Sequence, residues 1–467
     1  MKYTISPVVI FSFVFLLFLS ACSGKKQDSA SAPAADNSSG AAAAERNSGQ
    51  AKYTQDGKRI ITIGTWYDKY YVSKHRDINE DPKMANPVSA ELQLKKIREI
   101  EAKYNIVLQY VNLTFDGVRE SINTSIPAGI PDVDIYEVDL QFGIPAVLHN
   151  YAVSLEEMGL GGTDVFKDQA VMKYLNVLGQ RENFLFMPSN GGGIGAYVLA
   201  FNLDLIRQAG LENPQDLYDR GEWTWDKWRE YLKKITQDTD DDGIPNIYGW
   251  SGYWNWMLTN LLLSNQAGIA PGPEEKLSDP KAREVLRFIY DIYNTDKTAR
   301  PWDSSNWEIN NRLYAEGLSG FWIGADWIFN ENGGANLPFE IGVSPWPRGP
   351  SGSFENNRHS QPSGNWFLIP RSAADPRFVY DVMYDWFNWY DGDLSVARAN
   401  EWSKIMYMNS RNFNYALMMS MKPGSDVWQT LEMNLNLYPL ITGEAGPDDI
   451  IVEYKDMVQA ALDGYFK

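Results

Sequence analysis

Several things are scarce in this 467-residue sequence, and each scarcity removes a class of function. Cys22 is its one cysteine, so no disulfide can form within the chain even in an oxidising compartment. Histidine occurs three times, at His75, His149 and His359, far apart and without the spacing of metal ligands. Forty-two Lys and Arg stand against 60 Asp and Glu, for a formal net charge of −18, and no basic cluster interrupts the excess. Nucleic acid requires a basic footprint and is excluded as a partner. Beyond residue 19 no apolar run approaches the ~18 residues that mark a membrane-spanning helix.

What is present starts with an apolar run from Val8 to Leu19, broken only by Ser12. It is short for a bilayer span and has the length of a signal-peptide core. It ends in Leu19-Ser20-Ala21-Cys22, which resembles the lipobox of bacterial lipoproteins. That resemblance implies cleavage after residue 21, lipidation of Cys22, and a body held at a membrane outside the cytoplasm. The rival is an ordinary signal peptide with an incidental cysteine. Residues 23–50 follow, with eight Ala, six Ser and three Gly and no aromatic or large aliphatic side chain. Such a stretch cannot bury enough apolar surface to order itself, and as a coil it would span about 30 Å. It reads as a tether, residues 22–52 with the lipidated cysteine.

The body beyond it, about 415 residues, exceeds one hydrophobic core and predicts two lobes. Seventeen Trp, 26 Tyr and 20 Phe suit a packed interior and also suit stacking on a ligand.

Residues 59–66 read as a strand. Residues 89–104 place Ala90, Leu94, Ile97 and Tyr104 on one helical stripe, with Ser89 as N-cap. A strand, a helix from Phe115 to Ile126 and a strand within 131–139 complete an alternation typical of a parallel sheet with crossover helices. Ligands of such sheets sit beyond the carboxyl ends of the strands. Trp66, Asp68 and Lys69 follow the first strand, and Tyr136 and Asp139 lie at the third. Gly191, Gly193 and Ala196 fit a dinucleotide-binding spacing, but a strand follows them where that motif needs a helix. Residues 225–235 read as a helix capped by Thr224, with Trp225, Trp228, Leu232 and Ile235 on its buried stripe.

After that helix, "DTDDDGIPNIYGW" starts at Asp238. Asp238, Asp240 and Asp242 occupy positions 1, 3 and 5 of an EF-hand-type loop, with Gly243 at the sharp turn. Ile244 would offer its carbonyl and Asn246 a side-chain oxygen, but position 12 is Gly249 where a bidentate Glu is usual. A structural Ca2+ and a solvated acidic turn are the two readings. A catalytic role is disfavoured, because no apolar wall separates the pKa values of these acids.

Six segments, from "AGIPDVDIYEVD" and "LAFNLDLIRQAGL" through "EWTWDKWREYLKKITQDTDDDGIPNIYGW" and "YAEGLSGFWIGADW" to "ITGEAGPDDIIVEYKDMVQAAL", with the lipobox, occur in an order that resembles the extracellular solute-binding proteins of ABC sugar importers. The resemblance implies an α/β fold of the type II periplasmic-binding kind: two lobes, each a mostly parallel sheet flanked by helices, joined by hinge strands. Lobe 1 would span 53–199 with a return segment 364–405, and lobe 2 would span 200–363 with 406–467. It further implies a non-enzymatic monomer without a catalytic cofactor, which captures an oligosaccharide between closing lobes and delivers it to the permease. Carried onto this sequence, the ligand-binding candidates are Trp66, Asp68, Lys69, Tyr136, Asp139, Tyr253, Trp254, Trp327 and Trp428. Core packing is the rival reading for each tryptophan. Rival functions are a lipoprotein glycosidase, since carboxylate pairs abound, and a surface adhesin that holds glycans.

Overall fold

The computed structural model describes residues 51–67, 87–160, 178–184, 196–303, 308–325, 328–329, 337–360, 366–391, 407–424, 426–431, 433 and 435–466, with backbone alone at 87–90, 308–311 and 429. Cys22 and the tether lie outside these residues, as do Asp68, Lys69 and Trp327.

Among the described residues, nine strands form two sheets. The first contains β1 (Lys52–Tyr53), β2 (Arg59–Thr65), β3 (Ile106–Asn112), β4 (Ile135–Val138) and β9 (Trp366–Leu368). β3 runs parallel to β2 over its whole length, from Arg59 opposite Ile106 to Thr65 opposite Asn112. β4 is parallel to β2, while β1 and β9 run against their neighbours. The second sheet has the order β6 (Tyr248–Trp250), β7 (Ser319–Gly324), β5 (Val198–Asn202), β8 (Ile341–Ser344).

β6, β7 and β8 point one way, and β5 runs against both of its neighbours. A mostly parallel lobe therefore holds by strand direction but not by pairing. Two of the three pairings in the second sheet are antiparallel. β5 and β9 are the strands by which the chain arrives from the other sheet. No crossover helix within the same sheet has to return them in parallel. The crossing expected at residue 199 falls inside β5, which belongs entirely to the second sheet. The crossings expected at 364 and 405 lie outside the described residues.

Strand alternation gives the first sheet two apolar faces. On one, Ile61, Ile63, Ile135 and Phe367 pack with Ile97 and Ile100 of helix Pro87–Tyr104 and with Val379 and Met383 of helix Pro376–Phe387. On the other, Tyr136, Val138, Trp366 and Leu368 meet Val118 and Ile122 of helix Phe115–Ser125 and Ile144 of helix Leu140–Leu148. This second set is continuous with the interior of the second lobe. The first helix opens at Pro87 rather than being capped by Ser89, because proline has no N–H to leave unsatisfied in the first turn.

In the second lobe, Thr224 caps helix Trp225–Ile235 through the Lys227 N–H. Trp225, Trp228, Leu232 and Ile235 are buried, as the spacing predicts. β8 is covered by helix Ser410–Ser420, whose Asn412 side chain accepts from the Val343 N–H at 3.0 Å and donates to the Ile341 carbonyl at 2.9 Å. A sheet edge that would otherwise present open backbone groups is thereby satisfied.

Candidate functional site

Trp66 directly follows β2, at the carboxyl end of the first sheet. Its ring meets Tyr67 and Phe115 edge-on, each at 5.8 Å between centroids, and Phe142 at 6.2 Å. Phe115 opens helix 115–125 and is 37% exposed, so this cluster presents an aromatic edge to solvent. The Tyr67 hydroxyl donates to Glu137 Oε1 at 2.9 Å. Asp139 caps helix 140–148, accepting the Gln141 N–H at 2.9 Å, so one of its oxygens is committed to the fold.

Tyr136 is corrected as a ligand contact: it is fully buried, and its hydroxyl lies 2.7 Å from Ser121 Oγ and 3.0 Å from Ser125 Oγ. The alternation of β4 turns it inward against helix 115–125. Burial raises its pKa, and it remains a neutral phenol.

The second aromatic group surrounds the start of helix Trp254–Ser264. Tyr253 occupies the N-cap position and supplies no side-chain capping bond, and Trp254, the first helical residue, is half-buried. The Tyr253 ring lies 4.4 Å from Trp256 and 5.5 Å from Trp302, and Trp256 stacks on Tyr197 at 4.4 Å with the planes 21° apart. Trp428 sits half-buried in the short turn Val427–Gln429. Its indole N–H is buried and has no hydrogen-bond partner among the described residues.

The structure thus brings Tyr253 together with Trp256, Trp302 and Tyr197, while Trp66 belongs to a separate ring cluster. Sequence reasoning did not single out Phe115, Phe142, Tyr197, Trp256 or Trp302. Trp256 had a signal, since it lies in the aromatic-dense stretch "YGWSGYWNW". Trp302 had none.

In the acidic loop, oxygens of Asp238, Asp240 and Asp242 lie within 4.8 Å of one another. Asp241 and Gly243 take positive φ, 59° and 87°, which folds the chain back over the carboxylates. Asp238 Oδ2 accepts the Gly243 N–H at 2.7 Å, and this bond holds its pKa low. Asp240 is raised, chiefly by sharing a hydrogen bond with Asp238. Two expected details change. The Asn246 side-chain oxygen accepts the Thr239 N–H at 3.1 Å, so it closes the loop instead of facing a cation. A side chain at Gly249 would fall 2.6 Å from the Leu232 carbonyl oxygen, because β6 lies directly on the backbone of helix 225–235. No carboxylate can therefore stand at the loop's last position. The three carboxylates form an oxygen-only cluster, the donor type that hard cations such as Ca2+ take.

A search of curated proteins found no match. Solved structures share the fold at low identity. The GacH receptor of Streptomyces glaucescens, known unliganded and with acarbose, aligns with TM-score 0.60 and 14% identity over 87% of this chain and 99% of that one. UgpB from Mycobacterium tuberculosis, in complex with glycerophosphocholine, gives TM-score 0.61 and 14% identity over 87% and 100% of the two chains. The ABC substrate-binding protein Lmo0181 from Listeria monocytogenes, in complex with cycloalternan, gives 0.59 and 14% over 87% and 97%. The family description "bacterial extracellular solute-binding protein" matches residues 85–390, well over half of the sequence, and to that family this chain belongs.

Proposed function

We propose that the protein is the solute receptor of an ABC importer and captures an oligosaccharide between its lobes. The observation that carries this reading is the ring group of Tyr253, Trp256 and Trp302 at the start of the helix that opens with the half-buried Trp254. Pyranose rings carry apolar C–H faces that stack on such side chains, while their hydroxyls take up polar groups nearby. GacH with acarbose and Lmo0181 with cycloalternan support the choice of ligand class. UgpB with glycerophosphocholine shows that the fold also serves other solutes, so the aromatic rings and not the fold favour a sugar.

A receptor is favoured over a glycosidase because three acids close in sequence to the aromatic candidates have structural partners. Asp139 caps a helix, Glu137 accepts from Tyr67, and Asp426 holds three backbone N–H groups. A glycosidase needs two such groups facing a scissile bond. We further propose lipidation at Cys22, which would keep the receptor beside its permease. In the acidic loop we propose one structural Ca2+ held by Asp238, Asp240, Asp242 and the Ile244 carbonyl.

Titration of the Cys22→Ser protein with maltooligosaccharides tests the receptor reading. Tryptophan fluorescence should change and small-angle scattering should show compaction, with the sugar recovered intact. Cleaved sugar would indicate the enzyme, and silence across a broad glycan panel would remove the sugar reading.

A further inference from the structure

Helix Trp254–Ser264 touches the chain at two of the places where it passes between the sheets. Tyr197 directly precedes β5, and Ser360 lies between β8 and β9. These two passages are tied to each other, because the Tyr197 N–H donates to the Ser360 carbonyl at 2.9 Å. The helix holds both. Asn260 Oδ1 accepts the Ser360 N–H at 3.0 Å, and its Nδ2 donates to Ser360 Oγ at 2.7 Å. The same Nδ2 reaches the Trp256 carbonyl at 2.9 Å. One turn earlier Trp256 stacks on Tyr197, whose carbonyl accepts the Trp346 indole N–H at 2.8 Å. Asn260 is fully buried, and Tyr197 and Ser360 are 4% and 8% exposed.

We propose that Trp256 and Asn260 are positioning residues that couple the solute-facing end of this helix to both passages. The inference rests on the solute-capturing reading above. Tyr253, Trp256 and Tyr197 form an unbroken run of ring contacts, each 4.4 Å between centroids, from the helix start to the first passage. Asn260 extends the link to the second passage through a buried amide whose bonds leave it little freedom. Residues 196–202 and 357–360 therefore move as one body with the second lobe. A solute pressing on Tyr253 or Trp254 then acts on both passages through one rigid element.

Hydrogen–deuterium exchange on the full-length, solute-free protein tests the coupling without any assumption about the sugar. Asn260→Ala should speed exchange of the Tyr197 and Ser360 amides by about tenfold or more while leaving helix Trp225–Ile235 unchanged, as expected of a local opening. Ser360→Ala, which removes only the hydroxyl arm, should give a smaller acceleration at the same two amides. Trp256→Leu should accelerate them as well. Paired fluorophores on the two lobes should report a broader distance distribution in Asn260→Ala, and a smaller shift on adding maltotriose to maltoheptaose. Unchanged exchange at both amides in the three variants would overturn the coupling. So would an acceleration spread evenly through the second lobe, which marks a scaffold and nothing more. If the parent protein ignores these sugars while the exchange pattern holds, the ligand class has failed and the coupling has not.

Discussion

The Asp426 carboxylate accepts the backbone N–H of Ile269 at 2.6 Å, joining residues 157 apart in the chain. It also takes the N–H groups of Ala270 at 2.9 Å and Trp428 at 3.2 Å, so it anchors the turn that carries Trp428 to the second lobe. Asp426→Ala should orphan these donors and cost about 3 kcal/mol in urea unfolding, the scale of a broken buried polar network.

Two buried groups give opposite pH dependences. Burial outweighs the three N–H bonds and pushes Asp426 up to about 6. Its folded value thus lies above the unfolded one, near 3.9. Its contribution is complete below about pH 4 and is lost as the pH rises through about 6, on the order of 3 kcal/mol. Burial, with Lys422 and Arg358 adding to it, pushes the His359 imidazole down to about 3. That contribution is complete above about pH 6.5 and falls by about 1.4 kcal/mol per unit on acidification. Melting curves from pH 4 to 7 should therefore flatten on their acid side in His359→Leu and steepen in Asp426→Asn. Parallel curves for the parent and both variants would contradict both assignments.

Trp66→Ala and Trp254→Ala should weaken oligosaccharide binding by about 1–3 kcal/mol each, the loss of one stacking contact, with a small effect on melting. Trp228→Ala is the contrast. Its ring is fully buried, so it should cost about 3–5 kcal/mol of stability whether or not sugar is present. Calorimetry of binding beside thermal unfolding separates the two classes.

Calcium at the acidic loop should raise the melting temperature relative to EDTA. Mass action gives about 2.7 kcal/mol at a hundredfold excess over Kd. Magnesium should do little, since it demands near-octahedral geometry and sheds water reluctantly. Asp240→Asn with Asp242→Asn should abolish the shift and leave sugar affinity in place. Identical curves in calcium and EDTA would leave a solvated turn.

Cys22→Ser should move the protein from the membrane fraction to the soluble fraction. Retention of the variant on membranes would rule out the lipid as its anchor.

Local signals were the most legible. The helix at 225–235 could be read because Thr224 and a four-residue apolar stripe mark it within one short window. The strands 59–65, 106–112 and 198–202 could be read because β-rich runs are bounded by turns and helices. Tyr136 could not be assigned, since which face of β4 turns inward depends on a helix that packs from elsewhere. Gly249 looked like a missing ligand. Its reason is a backbone contact with Leu232 that no local pattern encodes. The same holds for Asn260 and Ser360, 100 residues apart and without any composition cue.

The separation of the apolar interior on either side of the first sheet bears on how the molecule comes apart. Among the described residues, helices Pro87–Tyr104 and Pro376–Phe387 close over a set of 18 buried residues that shares no member with the larger interior running into the second lobe. Between the helices, Lys103 pairs with Asp385 at 2.6 Å with its ammonium end exposed, and such a pair adds little. This outer layer can peel away at its own free energy while the face of the sheet that joins the larger interior stays shut. Protease cuts and early deuterium uptake should therefore mark these two helices first, in a receptor still able to hold its solute.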